Sequence, residues 1–227
     1  MVQKTVKPIV ITIDGPAGAG KSTVAKIVAE KMGLPYLDTG AMYRAVAWWL
    51  SSRGVAPSEE ERIKAELANC SMSVDAGRVC VCGIDVTDSI RSREIDNIVS
   101  SYAACGPVRD FMLSIERACA NGGLVADGRD MGTVVFPDAD VKIFLTASAN
   151  ERAMRRYKER AMRNEPADYD EILEQVNERD RYDMNRDIAP LRPARGCIIL
   201  DSTSMTASEV AEAISSLAAE IGRVKDN

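Results

Sequence analysis

Apolar residues along this chain come in short runs separated by longer stretches of mixed character. Four runs have strand length: Ile9 to Ile13, Leu124 to Ala126, Val141 to Leu145 and Cys197 to Leu200, with helical patterns between most of them. Pro35 to Leu37 is a weaker fifth. This alternation predicts an α/β fold with a parallel sheet and helices on both faces. Ser58 with Glu61, Ser148 with Glu151 and Thr206 with Glu209 have capping-box spacing, and the last opens a helix predicted over Thr206 to Ile221.

One stretch, about 69 to 87, breaks the alternation. Its period-two pattern around a turn at Ala76-Gly77 predicts two or three short strands, a small antiparallel β insertion. An insertion of this kind either shapes the pocket of a second substrate or serves as a structural flap. Cys80 and Cys82 alternate with Val79 and Val81, which predicts that both thiols face one side of a strand as small buried groups.

The 227 residues suit one compact domain spanning 1–227. A net charge of −5 argues against a general attraction to nucleic acid or to an anionic membrane. The apolar run after Met1 to Pro8 is too short for a signal peptide, and no stretch approaches the roughly 20 apolar residues of a membrane span, so the expected location is cytoplasmic. The six cysteines lack the paired spacings of a zinc site. With no histidine in the chain, Ser-His and Cys-His nucleophile arrangements are excluded. Chemistry must then rest on carboxylates, lysine, arginine and metal.

Residues 15 to 22 read Gly-Pro-Ala-Gly-Ala-Gly-Lys-Ser, directly after the first apolar run and before a helical stretch from Ser22 to Lys31 that Gly33 stops. Strand, glycine-rich loop and helix together make the setting in which a phosphate-binding loop works. The backbone N–H groups of Gly15, Pro16, Ala17, Gly18, Ala19 and Gly20, proline excepted, are available to a phosphate, and the helix start adds its positive end. Lys21 would reach the β- and γ-phosphates, and the hydroxyl of Ser22 or Thr23 would face Mg²⁺. Several predicted strands end in a carboxylate (Asp14, Asp38, Asp127, Asp201). At the carboxyl edge of an open sheet, Asp14, Asp38 and Asp127 would lie beside the loop, although aspartate also serves simply to form turns.

Arginine gives the second signature. Residues 151 to 195 hold ten arginines, one lysine and eleven acids, a neutral balance unlike an RNA-binding stripe. Transfer between two phosphates brings anions together, and guanidinium forks match phosphate oxygens. Ordinary surface ion pairs account for about half of these arginines. They do not account for Arg44 and Arg129, near predicted strand ends.

The runs Ile13 to Ser22, Leu37 to Arg44, Ala126 to Pro137 and Glu178 to Arg186 resemble, in the same order and over nearly the whole chain, the bacterial cytidylate kinases. The resemblance implies a nucleoside monophosphate kinase fold with a five-stranded parallel core, a β insertion at about 69–87 and a short lid at about 155–163. It implies transfer of the γ-phosphoryl group of ATP, with Mg²⁺, to CMP or dCMP by a monomeric enzyme. By the same resemblance Arg44, Arg129, Arg179 and Arg186 would hold the acceptor phosphate or the transferred group. Asp183, with Arg179, would bind the sugar, Ser100, Arg109 and Asp130 the base, and Thr39 and Asp127 would complete the substrate set. Arg156 would join the ATP site, with Ser22 and, through water, Asp14 near the metal. Alternatives are a kinase of the same fold acting on UMP or AMP, a GTP-dependent switch, and a nucleic-acid-binding ATPase. The switch reading lacks the Asn-Lys-x-Asp and Asp-x-x-Gly motifs, and the balanced arginine segment disfavours the ATPase.

Overall fold

The computed structural model describes residues 9–75 and 77–225. The N-terminal segment Met1 to Pro8 and Ala76 of the predicted turn lie outside the described residues. In chain order the elements are β1 (Val10–Asp14), α1 (Lys21–Met32), β2 (Tyr36–Asp38), α2 (Thr39–Ser52), α3 (Glu60–Ala68), β3 (Met72–Asp75), β4 (Arg78–Val81), β5 (Ile84–Asp85), α4 (Arg93–Ala103), α5 (Gly106–Ala118), β6 (Leu124–Gly128), β7 (Val141–Thr146), α6 (Ala149–Met162), α7 (Tyr169–Asn185), β8 (Ile198–Asp201) and α8 (Ala207–Lys225). A π-helical turn, Met131–Val135, follows β6. The chain forms two compact units, one of residues 1–37, 119–185 and 190–227, the other of residues 38–118 and 186–189.

The first unit is built on a five-stranded parallel sheet of order β2-β6-β1-β7-β8. Strand β1 pairs in parallel with β6 (Asp14 opposite Gly128) and with β7 (Asp14 opposite Phe144), so the carboxyl ends of the strands and the start of the glycine-rich loop share one edge. Ile11 and Ile13 pack with Val24, Ala25 and Val28 of α1 and Val210, Ala211 and Ile214 of α8 on one face. Thr12 and Asp14 point the other way, as a period of two requires, toward the π-helical turn and the segment carrying Ala194. A second small core joins α6 to α7 through Ala153, Ile172 and Val176, with Tyr157 and Tyr169 meeting edge to face.

Helix ends follow local chemistry. Gly33 stops α1 in the left-handed conformation (φ 63°) and donates back to Glu30 O. Ser148 caps α6 by accepting from Glu151 N–H at 3.2 Å. Thr206 and Glu209 form a reciprocal box, Glu209 N–H donating to Thr206 Oγ1 and Thr206 N–H to Glu209 Oε2. The spacing at Ser58 misleads: α3 starts at Glu60, and Glu59 turns its carboxylate back to the N–H of Ala56.

In the second unit, helix α2 packs against α4 and β4, and α3 against α5. The insertion forms a three-stranded antiparallel sheet of order β3-β4-β5. Here the expectation for the thiols is corrected. Val79 and Val81 occupy the buried face of β4, Cys80 is only half-buried on the other, and Cys82 lies beyond the strand with φ 48°. β-Branched valines gain more from the core than cysteine does, and they take the inward phase.

Candidate active site

The phosphate loop in the first unit is fixed by backbone constraints that side chains would violate. A Cβ on Gly15 would stand 1.9 Å from the carbonyl oxygen of Leu145, and Gly18 and Gly20 adopt φ of 80° and 87°. Val24 N–H donates to Gly20 O, so α1 starts directly from the loop, and the N–H groups of a helix's first turn are free of partners within the helix. Several carbonyls of the loop have donors of their own. Lys21 Nζ donates to Pro16 O at 2.8 Å, Arg152 Nη1 to Ala17 O at 3.0 Å, and Arg155 Nη1 and Ser202 Oγ to Ala19 O.

Lys21 is buried, and burial drives its pKa well below the usual lysine value. The positive charge of Arg129 and, less strongly, Arg179 pushes the same way, against the carboxylates of Asp127 and Asp14. Three cations therefore act on one another at the mouth of the loop, an arrangement that a polyanion relieves.

The four strand-end aspartates divide by role. Asp38 caps α2, accepting from Ala41 N–H, and Asp201 closes a turn on Thr203. Asp127 reaches the loop: its Oδ2 accepts from Ser22 Oγ at 2.9 Å, and its Oδ1 from Tyr36 Oη at 2.8 Å. Asp14 accepts the N–H groups of Met131 and Gly132 at 2.8 and 2.7 Å, one on each oxygen. Burial, opposed by these two N–H groups, pushes the Asp14 carboxyl up to about 7. Gly132 permits this approach, since a Cβ there would stand 3.1 Å from Thr12 Oγ1 and 3.3 Å from Asp14 Oδ2.

Arg129, directly after β6, donates through Nε to Asp183 Oδ2 of α7 at 3.0 Å, and Asp183 is buried. Asp130 is buried and caps the π-helical turn with its carbonyl, which accepts from Val134 and Val135 N–H. Arg179 lies half-buried on α7, and Arg156 half-buried on α6 beside Arg155. Residues 155–163, the predicted lid, form the second half of α6 and its C-cap Arg163.

The second unit holds the remaining candidates. Thr39 is buried at the start of α2. Arg44 reaches Asp96 of α4 through Nε at 3.1 Å and Nη2 at 3.0 Å, and Gly40 leaves its guanidinium room, since a Cβ there would stand 3.1 Å from Nη1. Arg109 is buried on α5, 5.6 Å from the centre of the Tyr43 ring, and donates to Ala103 O. Ser100 is half-buried on α4. Arg186 closes a tight turn, its Nε and Nη2 both donating to Ala189 O.

The roles of Arg152, Arg155, Ser202, Tyr36 and Gly132 are not legible in the motifs, although Gly132 lies within the Ala126 to Pro137 run. The role of Arg155 leaves a trace in its i, i+4 spacing from Glu151, the two side chains meeting at 2.9 Å.

No helix among the described residues is long and apolar enough to cross a membrane. The fold is shared with an uncharacterised protein of known structure from Eubacterium ventriosum (TM-score 0.53, 14% identity, 93% of this chain and 98% of that one). Closer kinship lies in sequence. A cytidylate kinase of Pseudothermotoga lettingae is 46% identical over 218 residues, 96% of this chain and 97% of its own length. A cytidylate kinase of Bacillus subtilis is 44% identical over 213 residues, 92% of this chain and 95% of its own. A bifunctional pantoate ligase/cytidylate kinase of Prochlorococcus marinus matches over 90% of this chain with 42% of its length. The family profile described as cytidylate kinase matches residues 11–220, a span that takes in the phosphate loop, the Asp14-held turn and both arginine sets, and the chain belongs to the cytidylate kinase family.

Proposed function

We propose that the protein transfers the γ-phosphoryl group of ATP to CMP or dCMP, giving ADP and CDP or dCDP. The observation that carries this reading is the convergence of Lys21, Arg129 and Arg179 charges on a phosphate loop within a chain of this family. The reaction is an in-line displacement. An acceptor phosphate oxygen forms a bond to Pγ as the bond from Pγ to the bridging oxygen breaks, and ADP leaves with that electron pair. The acceptor oxygen is anionic at neutral pH, so no general base is needed, in keeping with a chain that has no histidine.

The loop amides and Lys21 hold the triphosphate, with Arg156 at the edge of that site. Arg44, Arg129, Arg179 and Arg186 hold the acceptor phosphate and the transferred group. Asp183 and Arg179 hold the sugar, with Thr39 and Asp127 completing the substrate set. Ser100, Arg109 and Asp130 read the base. Cytosine offers an amine at N4 and acceptors at N3 and O2, which a carboxylate, an arginine and a hydroxyl complement; uracil would set a carbonyl against Asp130.

The oxygens of Ser22 and Asp127 suit a hard cation that takes few protein ligands and several from phosphates and water. Asp14, each of whose oxygens accepts one N–H group, would contribute through water. Mg²⁺, when bound, would supply charge neutralisation to the triphosphate. The closing of a lid formed by residues 155–163 would exclude water and suppress hydrolysis. This reading takes the protein as a cytoplasmic monomer.

The test is ADP release from MgATP with CMP, dCMP, UMP and AMP in parallel, with CDP identified directly. Turnover confined mainly to CMP and dCMP is expected. Preference for UMP or AMP would overturn the base assignment, and acceptor-independent turnover alone would overturn the reaction.

A further inference from the structure

Arg152 is placed to do more than pair with an acid. It is buried, and its three guanidinium nitrogens each serve a different element of the first unit. Nε donates to Ala147 O at the junction of β7 and α6 (2.9 Å), Nη1 to Ala17 O in the phosphate loop (3.0 Å), and Nη2 to Asp180 Oδ2 of α7 (2.6 Å). Its Cβ also limits Gly18, where an added Cβ would come within 3.1 Å. Asp180, the partner, is buried, and α7 is the helix that carries Arg179 one residue before it and Asp183 less than one turn after it. Asp183 in turn orients Arg129.

We infer that Arg152 and Asp180 are positioning residues for phosphoryl transfer. The pair sets the donor loop and the helix bearing Arg179 and Asp183 to one common reference, so that Lys21, Arg129 and Arg179 meet the same phosphoryl group. The planar guanidinium suits this task because its N–H directions are fixed relative to one another; a lysine at 152 would supply charge without that geometry. Any buried guanidinium nitrogen needs an acceptor, but stability alone does not require that the acceptor of Nη1 be a carbonyl of the phosphate loop. Buried ion pairs are weak stabilisers, and apolar residues of similar volume often replace them without loss. Transfer chemistry is sensitive to small displacements, about 100-fold in rate for roughly 1 Å. This inference rests on the phosphotransfer reading for its consequence.

The experiment compares wild type, Asp180→Asn, Arg152→Lys and the apolar double variant Arg152→Met/Asp180→Leu for kcat, for KM of CMP and ATP, and for thermal unfolding. Asp180→Asn keeps size and an acceptor oxygen, and it carries the test alone if the double variant is not recovered folded. The expected result is a fall in kcat of about 10- to 100-fold in folded protein, with KM for CMP within about threefold of wild type. Arg152→Lys should show the same loss although it keeps the charge, and the double variant should lose no more than the worse single one. Folded variants with kcat within twofold of wild type, or a loss that follows melting temperature alone, would overturn the inference. A wild-type protein that does not phosphorylate CMP would overturn the phosphotransfer reading and this consequence with it, an outcome recognisable because it needs no variant.

Discussion

Lys21 is buried in a field of like charge, and a buried lysine beside two guanidinium groups costs the fold free energy. Lys21→Met should therefore lower kcat/KM by about 100- to 1,000-fold while leaving the melting temperature unchanged or higher; an active variant, or one that unfolds early, would contradict the role. Asp14 gives a second residue-level expectation. Its carboxyl titrates near 7 in the folded protein against an ordinary value of 3.8, chiefly because it is buried. A raised acid favours the folded state while it is protonated, so the contribution is complete below about pH 4 and is lost as pH rises through 7, by a few kcal/mol at most. In urea unfolding without added metal, wild type should lose stability relative to Asp14→Asn between pH 5 and pH 8, and parallel pH curves for the two would refute this. The strand-end aspartates also show what a sequence can carry. All four are visible as acids after apolar runs. The division into a cap at 38, a turn at 201, a carboxylate at 14 that holds the π-helical turn and one at 127 that reaches the phosphate loop depends on which strand neighbours which, and the order β2-β6-β1-β7-β8 is set by tertiary packing.

Elements with strong local chemistry were legible, and those decided by competition were not. The alternation of apolar runs and helical patterns yields the five strands because buried parallel strands need continuous apolar sequence. The box at Thr206 forms as its spacing predicts, the Glu209 carboxylate accepting from Thr206 N–H and Glu209 N–H donating back to the Thr206 hydroxyl. At Ser58 the neighbouring Glu59 captures Ala56 N–H and the helix begins two residues later than the serine. Cys80 and Cys82 follow the strand period on paper, yet Val79 and Val81 claim the core and the backbone leaves the strand at Cys82. Thr206→Ala should destabilise the protein by about 1 kcal/mol through loss of the reciprocal box at α8, measured by denaturant unfolding, and no change would mean the cap is replaced by water. Gly15→Ala should prevent recovery of folded protein or lower the unfolding midpoint severely, because a Cβ would stand 1.9 Å from the Leu145 carbonyl and neither strand backbone can retreat without breaking the β1–β7 ladder; a stable, active Gly15→Ala protein would show that the loop can reset.

At the scale of the whole molecule, the two compact units carry different parts of the proposed chemistry. The loop, Lys21, Arg129, Arg179 and the Arg152 clamp belong to the first unit; Thr39, Arg44, Ser100, Arg109 and Arg186 belong to the second. A ligand that binds only the folded state stabilises it by about 2.7 kcal/mol at 100 times its dissociation constant, which for a chain of this size is a rise of roughly 5–10 °C in melting temperature. MgADP and CMP should each raise the melting temperature of the wild-type protein. Lys21→Met should abolish the response to MgADP and keep the response to CMP, whereas Arg44→Met should do the reverse, since the proposed function assigns Arg44, which Asp96 holds in place, to the acceptor phosphate. The pattern is informative because neither variant needs to be active. Loss of both responses in both variants would mean that the nucleotide sets are not separable, and loss of neither would remove Lys21 and Arg44 from binding altogether. Retention of the CMP response in Arg44→Met, with loss of the MgADP response in Lys21→Met, would leave the donor site in place and send the acceptor phosphate to the arginines of the first unit.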